Sequence, residues 1–229
     1  MKIVLHKASE RGGADHGWLK ARHYFSFAGY HNPERVHFGM LRVLNDDIIA
    51  GGGGFPTHPH DNMEIVTIPF TGALQHKDST GGSGVIKAGD VQIMSAGTGV
   101  RHSEANDSAT ESVNLFQLWV FPKERNITPR YDQKTYDMNE RINKWQVVVS
   151  PIEADKALWI NQDAIFSLTK LEAGKSLTYQ NTFKGNAVYL VVISGSVKVN
   201  ETILNNRDAA GISETETFTI IASKDAELL

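Results

Sequence analysis

Gly51-Gly52-Gly53-Gly54-Phe55-Pro56-Thr57-His58-Pro59-His60-Asp61-Asn62-Met63-Glu64 sets a glycine-rich reversal in front of two histidines spaced i, i+2. Side chains on a β-strand repeat every two residues, so an extended His58-Pro59-His60 presents both imidazoles on one face. Glu64 follows on the same parity. Further along, Ala96-Gly97-Thr98-Gly99 leads into His102-Ser103-Glu104, a second glycine turn before a second i, i+2 pair. Two such strands, side by side and facing inward, would bring three imidazoles and one carboxylate to a common point. That mixed nitrogen and oxygen set suits a first-row divalent metal and can leave positions open for water, substrate or dioxygen, which is the arrangement of a catalytic site rather than a structural one. His-x-His alone is a weak signal, and its glycine context is what strengthens it.

The rest of the chain reads as strands and turns. β-rich segments fall at residues 35–44, 63–71, 85–87, 91–95, 113–121, 146–149, 164–171, 187–193, 196–200 and 217–222. Turn chemistry separates them at Asn45-Asp46-Asp47, Thr71-Gly72, Gly81-Gly82-Ser83-Gly84, Ala88-Gly89-Asp90, Ala173-Gly174 and Ser194-Gly195. Many short strands at this spacing predict an all-β sandwich or barrel. The best candidate helix is a short one at residues 137–145. Between Pro122 and Trp145 a polar stretch of both charge signs, with Pro129 inside it, reads as a connector. The expected division is therefore a domain over residues 1–135 and another over 136–229, each with strands enough for its own small barrel. The apolar end Ala226-Glu227-Leu228-Leu229 reads as a final strand cut short.

Composition narrows the chemistry. The chain has 229 residues, 41% of them hydrophobic and 21% charged, enough for a packed core that folds without help from a metal. The absence of cysteine excludes disulfides, thiolate nucleophiles and thiolate metal sites, so a metal must be held by His and carboxylate. A net charge of −3 supplies no positive field for nucleic acid or an anionic membrane surface. No stretch approaches the roughly 18 apolar residues of a membrane span, and the first residues are too short an apolar run for a signal peptide, so the expectation is a soluble cytoplasmic protein. The nine histidines stand at 6, 16, 23, 31, 37, 58, 60, 76 and 102, which confines any transition-metal site to the first half. His23 and His76 read as ordinary core or surface residues, with pocket lining as the lesser alternative, and His6, His16, His31 and His37 show no paired spacing. Phe25/Phe27 and Phe116/Leu118/Val120 alternate as barrel-core faces do. The Gly81 to Lys87 stretch lacks the residue order of a phosphate loop, and Ser103 points away from His102, which excludes a hydrolase dyad between them.

Gly52 followed by His58-x-His60 and Glu64 resembles the first motif of the cupin superfamily, and Gly99-x-x-His102-x-x-x-Asn106 resembles the end of its second. More narrowly, residues 55–65, Gly72 with His76-Lys77-Asp78-Ser79, and residues 89–104 resemble the pirin family of bicupins. Gly17-Trp18-Leu19, Phe25-Ser26-Phe27, Leu41-Arg42-Val43-Leu44-Asn45-Asp46-Asp47 and Ile127-Thr128-Pro129-Arg130-Tyr131 are similar to its bacterial branch. The resemblance covers the first 130 residues or so. It implies an all-β bicupin, two tandem cupin barrels of the double-stranded β-helix or jelly-roll type with few short helices. It further implies His58, His60, His102 and Glu104 as metal ligands. Glu64 is the rival oxygen ligand, or else a residue holding a histidine from behind. Where the second barrel would carry its own His-x-His, the chain has Leu177-Thr178-Tyr179-Gln180-Asn181-Thr182, which resembles a degenerate cupin without a metal site.

The activity implied is that of a quercetin 2,3-dioxygenase, which opens the flavonol ring with dioxygen and releases carbon monoxide. The implied cofactor is one divalent transition metal, Fe(II) being favoured over Cu, Ni, Co, Mn or Zn. Its partners would be a small aromatic, flavonol-like substrate and dioxygen, with neither nucleic acid nor membrane. Glu104 is the candidate catalytic base for the 3-hydroxyl proton, with Glu64 as its substitute if unbound and within reach. Two other readings stand beside this one: a redox-sensing co-regulator acting through a partner protein, and a non-oxidative cupin such as an isomerase.

Overall fold

The computed structural model describes every residue from Met1 to Leu229, and its regular structure is almost wholly antiparallel strand. In chain order these are β1 (Lys2–His6), β2 (Gly12–Asp15), β3 (Leu19–His23), β4 (Leu41–Ile49), β5 (Gly54–His60), β6 (Glu64–Thr71) and β7 (Ala73–Asp78). There follow β8 (Ser83–Lys87), β9 (Asp90–Ser95), β10 (Val100–Asn106), β11 (Val113–Val120), β12 (Arg130–Thr135) and β13 (Gln146–Val149). The last are β14 (Phe166–Leu171), β15 (Ser176–Gln180), β16 (Val188–Val199), β17 (Thr202–Asn205), β18 (Ala209–Ser213) and β19 (Thr217–Leu228). Helix is limited to short 3-10 turns at Ala8–Glu10, Met138–Arg141 and Glu153–Asp155, and no helix is long and apolar enough to cross a membrane.

The chain divides into two units, and the division is not a single cut. Gly12–Tyr136 with Ser150–Asp163 form one, and Met1–Arg11, Asp137–Val149 and Ala164–Leu229 form the other. The boundary expected after residue 135 lies one residue from the Tyr136/Asp137 division, but two segments are exchanged across it. β1 pairs along its length with β18, from Lys2↔Ser213 to His6↔Ala209. Residues 150–163 belong with the first unit because Asn161 donates its backbone N–H to Glu64 Oε2 at 3.2 Å and accepts the N–H of Lys123 at 2.6 Å. Such long-range edge pairings leave no mark on local composition.

In the unit around Gly12–Tyr136, one sheet runs β12-β9-β6-β11-β4-β3-β2 and the other β5-β10-β7-β8. Four local expectations change in this unit and just past its end at Tyr136. The polar connector is in part β12, paired with β9 from Arg130↔Ser95 to Thr135↔Asp90; its charges are those of an edge strand, whose outer side meets water. Asn45-Asp46-Asp47 is no turn but the middle of β4, and the strand expected at 35–44 begins only at Leu41. Two of the three find side-chain partners there: Asn45 Oδ1 lies 2.8 Å from His23 Nδ1, and Asp46 Oδ1 accepts from Asn114 Nδ2 at 3.0 Å. The helix expected at 137–145 shrinks to the turn Met138–Arg141, capped by Asp137 accepting from the Asn139 N–H and followed by Asn143 at φ 55, a conformation a helix cannot continue through.

The other unit is an eight-stranded sheet in the order β1-β18-β16-β19-β14-β13, with β15 on β19 and β17 on β16. Its interior holds one large apolar cluster: Leu171, Leu190, Val192, Val197, Val199, Leu204, Ile212, Phe218, Ile220 and Leu228 are all buried in it. Ser194-Gly195, expected as a turn, is instead a bulge within β16. Gly195 sits at φ 89 where a Cβ would collide with the Asp225 carbonyl, so the bulge demands glycine. The segment 226–228 continues β19, with Ala226 and Leu228 in the core.

Candidate metal centre

β10 organises the site. Its His102 faces His58 of β5 on one side and Asp78 of β7 on the other, while Glu104 faces His76 of β7. A bulge between His102 and Glu104 shifts the β5 register so that Glu104 lies opposite Phe55. His58 and His60 share a face, and their rings converge with that of His102: centroids are 4.9 Å apart for His58–His60, 4.4 Å for His58–His102 and 4.8 Å for His60–His102. One donor atom from each lies within 4.8 Å of the others. A second such group consists of His76, His102 and Glu104. The two triads share His102, and Glu104 joins the imidazoles through it.

Protonation suits ligation. Burial first, then the neighbouring imidazoles, push His102 down to about 3 and His60 to about 4, so both are neutral across the physiological range. His58 Nδ1 donates to the Pro56 carbonyl at 2.8 Å, which leaves the lone pair of a neutral ring on Nε2. His102 Nε2 and Glu104 Oε1 are buried with no hydrogen-bond partner. Groups of this kind are rare in a finished core, because each costs about 1–3 kcal/mol, and their pairing beside two further imidazoles fits a divalent ion. Burial raises the Glu104 carboxyl to about 7, and Gln117 Nε2 donates to its Oε2 at 2.9 Å. Gln117 Oε1 in turn accepts from Trp119 Nε1 at 3.2 Å, and the Trp119 ring meets His60 edge-on at 4.9 Å.

These contacts from β11 show which face of the larger sheet looks at β10, and that face carries a polar row beside the apolar cluster of Leu19, Ile49, Val113 and Leu115. The register runs His23↔Asn45↔Gln117↔Thr67↔Gln92 across β3, β4, β11, β6 and β9. Thr67 Oγ1, Gln92 Oε1 and, two residues along β4, Asp47 Oδ1 are buried and unpartnered. Burial, then Asp46 and Glu104, raise Asp47 to about 8. Aromatic rings border the imidazoles: Phe55 beside His58 at 6.3 Å, and Phe27 against Trp119 at 5.3 Å. On the solvent side His60 lines a groove with Pro59, Asp61, Ser79 and Arg101.

The sequence-derived set His58, His60, His102 and Glu104 is thus brought into one neighbourhood. Glu64 is not. Its Oε2 takes Ser95 Oγ at 2.8 Å and the Asn161 N–H, so it holds the loop at 161 rather than a histidine, and it belongs to neither donor group. His76, read as an ordinary residue, is buried inside the site with its ring 5.2 Å from His102 and stacked 4.6 Å from Tyr131. The signal for it was present as His76-x-Asp78, a third i, i+2 pair of potential ligands. His6 pairs with Tyr189 and His37 with the Gly39 carbonyl, both away from these residues.

Two antiparallel β-domains in succession, the first with convergent histidines on its inner strands and the second with an apolar interior, define a bicupin. The chain belongs to the pirin family: the Pirin family model matches residues 4–120, and the Quercetinase C-terminal cupin domain model matches residues 147–229. It is 42% identical over 227 residues to a protein of Escherichia coli (strain K12) named quercetin 2,3-dioxygenase, covering 99% of this chain and 96% of that one. A pirin-like protein of Caulobacter vibrioides is 46% identical over 219 residues, covering 95% and 94%. Among solved structures, the bacterial pirin YhhW of Escherichia coli in complex with nickel(II) superposes with a TM-score of 0.93 at 40% identity, covering 99% of this chain and 96% of that one.

Proposed function

We propose that this chain is a metal-dependent dioxygenase that opens the ring of a flavonol such as quercetin with dioxygen and releases carbon monoxide. The observation that carries the reading is the pair of buried, unpartnered ligand atoms, His102 Nε2 and Glu104 Oε1, beside His58 and His60. The name of the Escherichia coli relative supports the reaction, and the nickel(II) bound by a bacterial pirin supports one divalent ion. His58, His60, His102 and Glu104 would hold that ion, and iron(II) is the resident metal we infer from the mixed donor set. When bound, it supplies a Lewis-acidic position that favours the substrate's 3-hydroxyl as an oxyanion.

The protein's own groups do the rest. Gln117 donates to Glu104 Oε2, which leaves Oε1 as the atom that would hold the ion and, on loosening as substrate binds, would take the hydroxyl proton. Phe55 and Trp119 offer flat apolar surface beside the imidazoles for an aromatic ring system. The orphaned Thr67, Gln92 and Asp47 atoms across the barrel suit a ligand with several hydroxyl groups.

The test is dioxygen uptake and carbon monoxide release on quercetin by protein loaded separately with Fe(II), Mn(II), Ni(II), Co(II), Cu(II) or Zn(II), with His102→Ala as control. One carbon monoxide released per dioxygen consumed, absent in the control, is expected. No turnover by any fully loaded form would overturn the proposal.

A further inference from the structure

We propose that His76 and Asp78 are positioning residues: the chain Asp78 Oδ2···His76 Nε2, His76 Nδ1···His102 Nδ1 holds His102 in the one tautomer whose bare Nε2 can ligate. This rests on the reading of His102 as a ligand, which the experiment below checks separately.

The argument begins at the far end. Asp78 Oδ1 accepts from Thr80 Oγ1 at 2.6 Å, the Thr80 N–H at 2.8 Å and the Gly82 N–H at 3.0 Å. Its Oδ2 lies 3.0 Å from His76 Nε2, and neither of these two side chains is exposed. A carboxylate can only accept, so the proton of a neutral His76 sits on Nε2 and its Nδ1 carries the lone pair. Across 3.5 Å that lone pair faces His102 Nδ1, which must therefore be the N–H of the second ring. One proton per neutral imidazole then leaves His102 Nε2 bare, and it is the nitrogen found buried without a partner. The length of the second contact is that of a weak hydrogen bond, so its role is to choose a tautomer rather than to add stability.

Two further features hold the chain in register. Cross-strand pairing places His102 beside Asp78 and Glu104 beside His76, so the chain is built from neighbouring residues of β7 and β10. The Tyr131 ring stacks on His76 at 4.6 Å with a 23° interplanar angle, which fixes the plane of the relaying imidazole. His58 solves the same problem by a different route, with its Nδ1–H on the Pro56 carbonyl. Partners behind a ligating histidine typically change metal affinity about 10–100-fold when removed.

The first readout needs no variant. Side-chain nitrogen chemical shifts of the metal-free full-length protein should show His102 protonated on Nδ1 and bare on Nε2. His76→Leu should give a mixture of tautomers and weaken Ni(II), measured by competition with a chelator, by about 10–100-fold. His76→Asn, whose Oδ1 can accept where Nδ1 did, should restore both. A proton on Nε2 of His102 in the wild-type protein would overturn the proposal. So would His76→Leu retaining tautomer and affinity while His102→Ala loses Ni(II). If His102→Ala itself retains Ni(II), the ligand assignment beneath the proposal has failed instead.

Discussion

The two barrels place the same kind of strand pair to opposite use. In the first, β5 lies on β10 and sets His58 opposite His102; in the second, β15 lies on β19 and sets Leu177 opposite Ile220 and Tyr179 opposite Phe218. Around Ile220 the interior closes as one apolar cluster. Around His102 it keeps buried polar atoms with no partner on both facing sheets, among them Glu104 Oε1, Thr67 Oγ1 and Gln92 Oε1. Burying a large apolar side chain contributes about 1.5–3 kcal/mol, whereas an unsatisfied buried polar group costs about 1–3 kcal/mol. The ladder of backbone hydrogen bonds is common to both, so the frame accepts either filling. What separates them is that the second interior is filled by hydrocarbon and the first retains a costly donor set at the candidate metal centre.

The sharpest way to break this comparison is to delete a donor. His58→Ala and His102→Ala are each expected to lower bound divalent metal from about one ion per chain to nearly none, by elemental analysis after loading, with the β-sheet circular dichroism of the metal-free protein unchanged. Full retention of metal would remove the distinction between the barrels. The reciprocal change, Ile220→Ala, empties part of the second core and should cost about 2–5 kcal/mol in urea unfolding. Its metal content should stay at the wild-type value. Loss of metal in the folded variant would show that the second filling serves the site as well.

Much of this contrast was legible in the chain. His-x-His after a glycine turn and His-x-Glu after another are local patterns, and strand periodicity turns them directly into a common face. The absence of His and Cys beyond residue 102 denies the second half the usual transition-metal ligands, whereas its apolar cluster is assembled from many strands. The misreadings have one cause. Asn45-Asp46-Asp47 carries turn composition, yet it lies in the middle of β4, with Asn45 and Asp47 on the inner face and Asp46 on the other, and its partners His23 and Asn114 come from other strands. Glu64 shares parity with His60 in sequence, but it begins β6 in the other sheet, so continuing the strand face past residue 60 failed. His76 was passed over because its meaning depends on lying across from Glu104 in β10, and cross-strand register is a long-range property. The exchange of β1 into the second unit escaped for the same reason.

The smallest expected effect separates the two fillings by pH. Burial raises the Asp47 carboxyl from an ordinary 3.8 to about 8, so between those values the folded protein retains a proton that the unfolded chain releases. Stability from this group is therefore complete below about pH 4 and is lost as pH rises through about 8. Asp47→Asn replaces the carboxyl with a neutral amide that does not titrate. In metal-free protein the variant should gain on wild type as pH rises from about 5 to about 8.5, read as a Tm difference that grows across that window and levels off above it. The deficit of Ile220→Ala, set in a cluster of hydrocarbon side chains, should stay constant over the same range. If the Asp47→Asn difference proves equally flat, the carboxylate is already ionised and solvated in the folded state, and the polar barrel interior carries less of the cost assigned to it above.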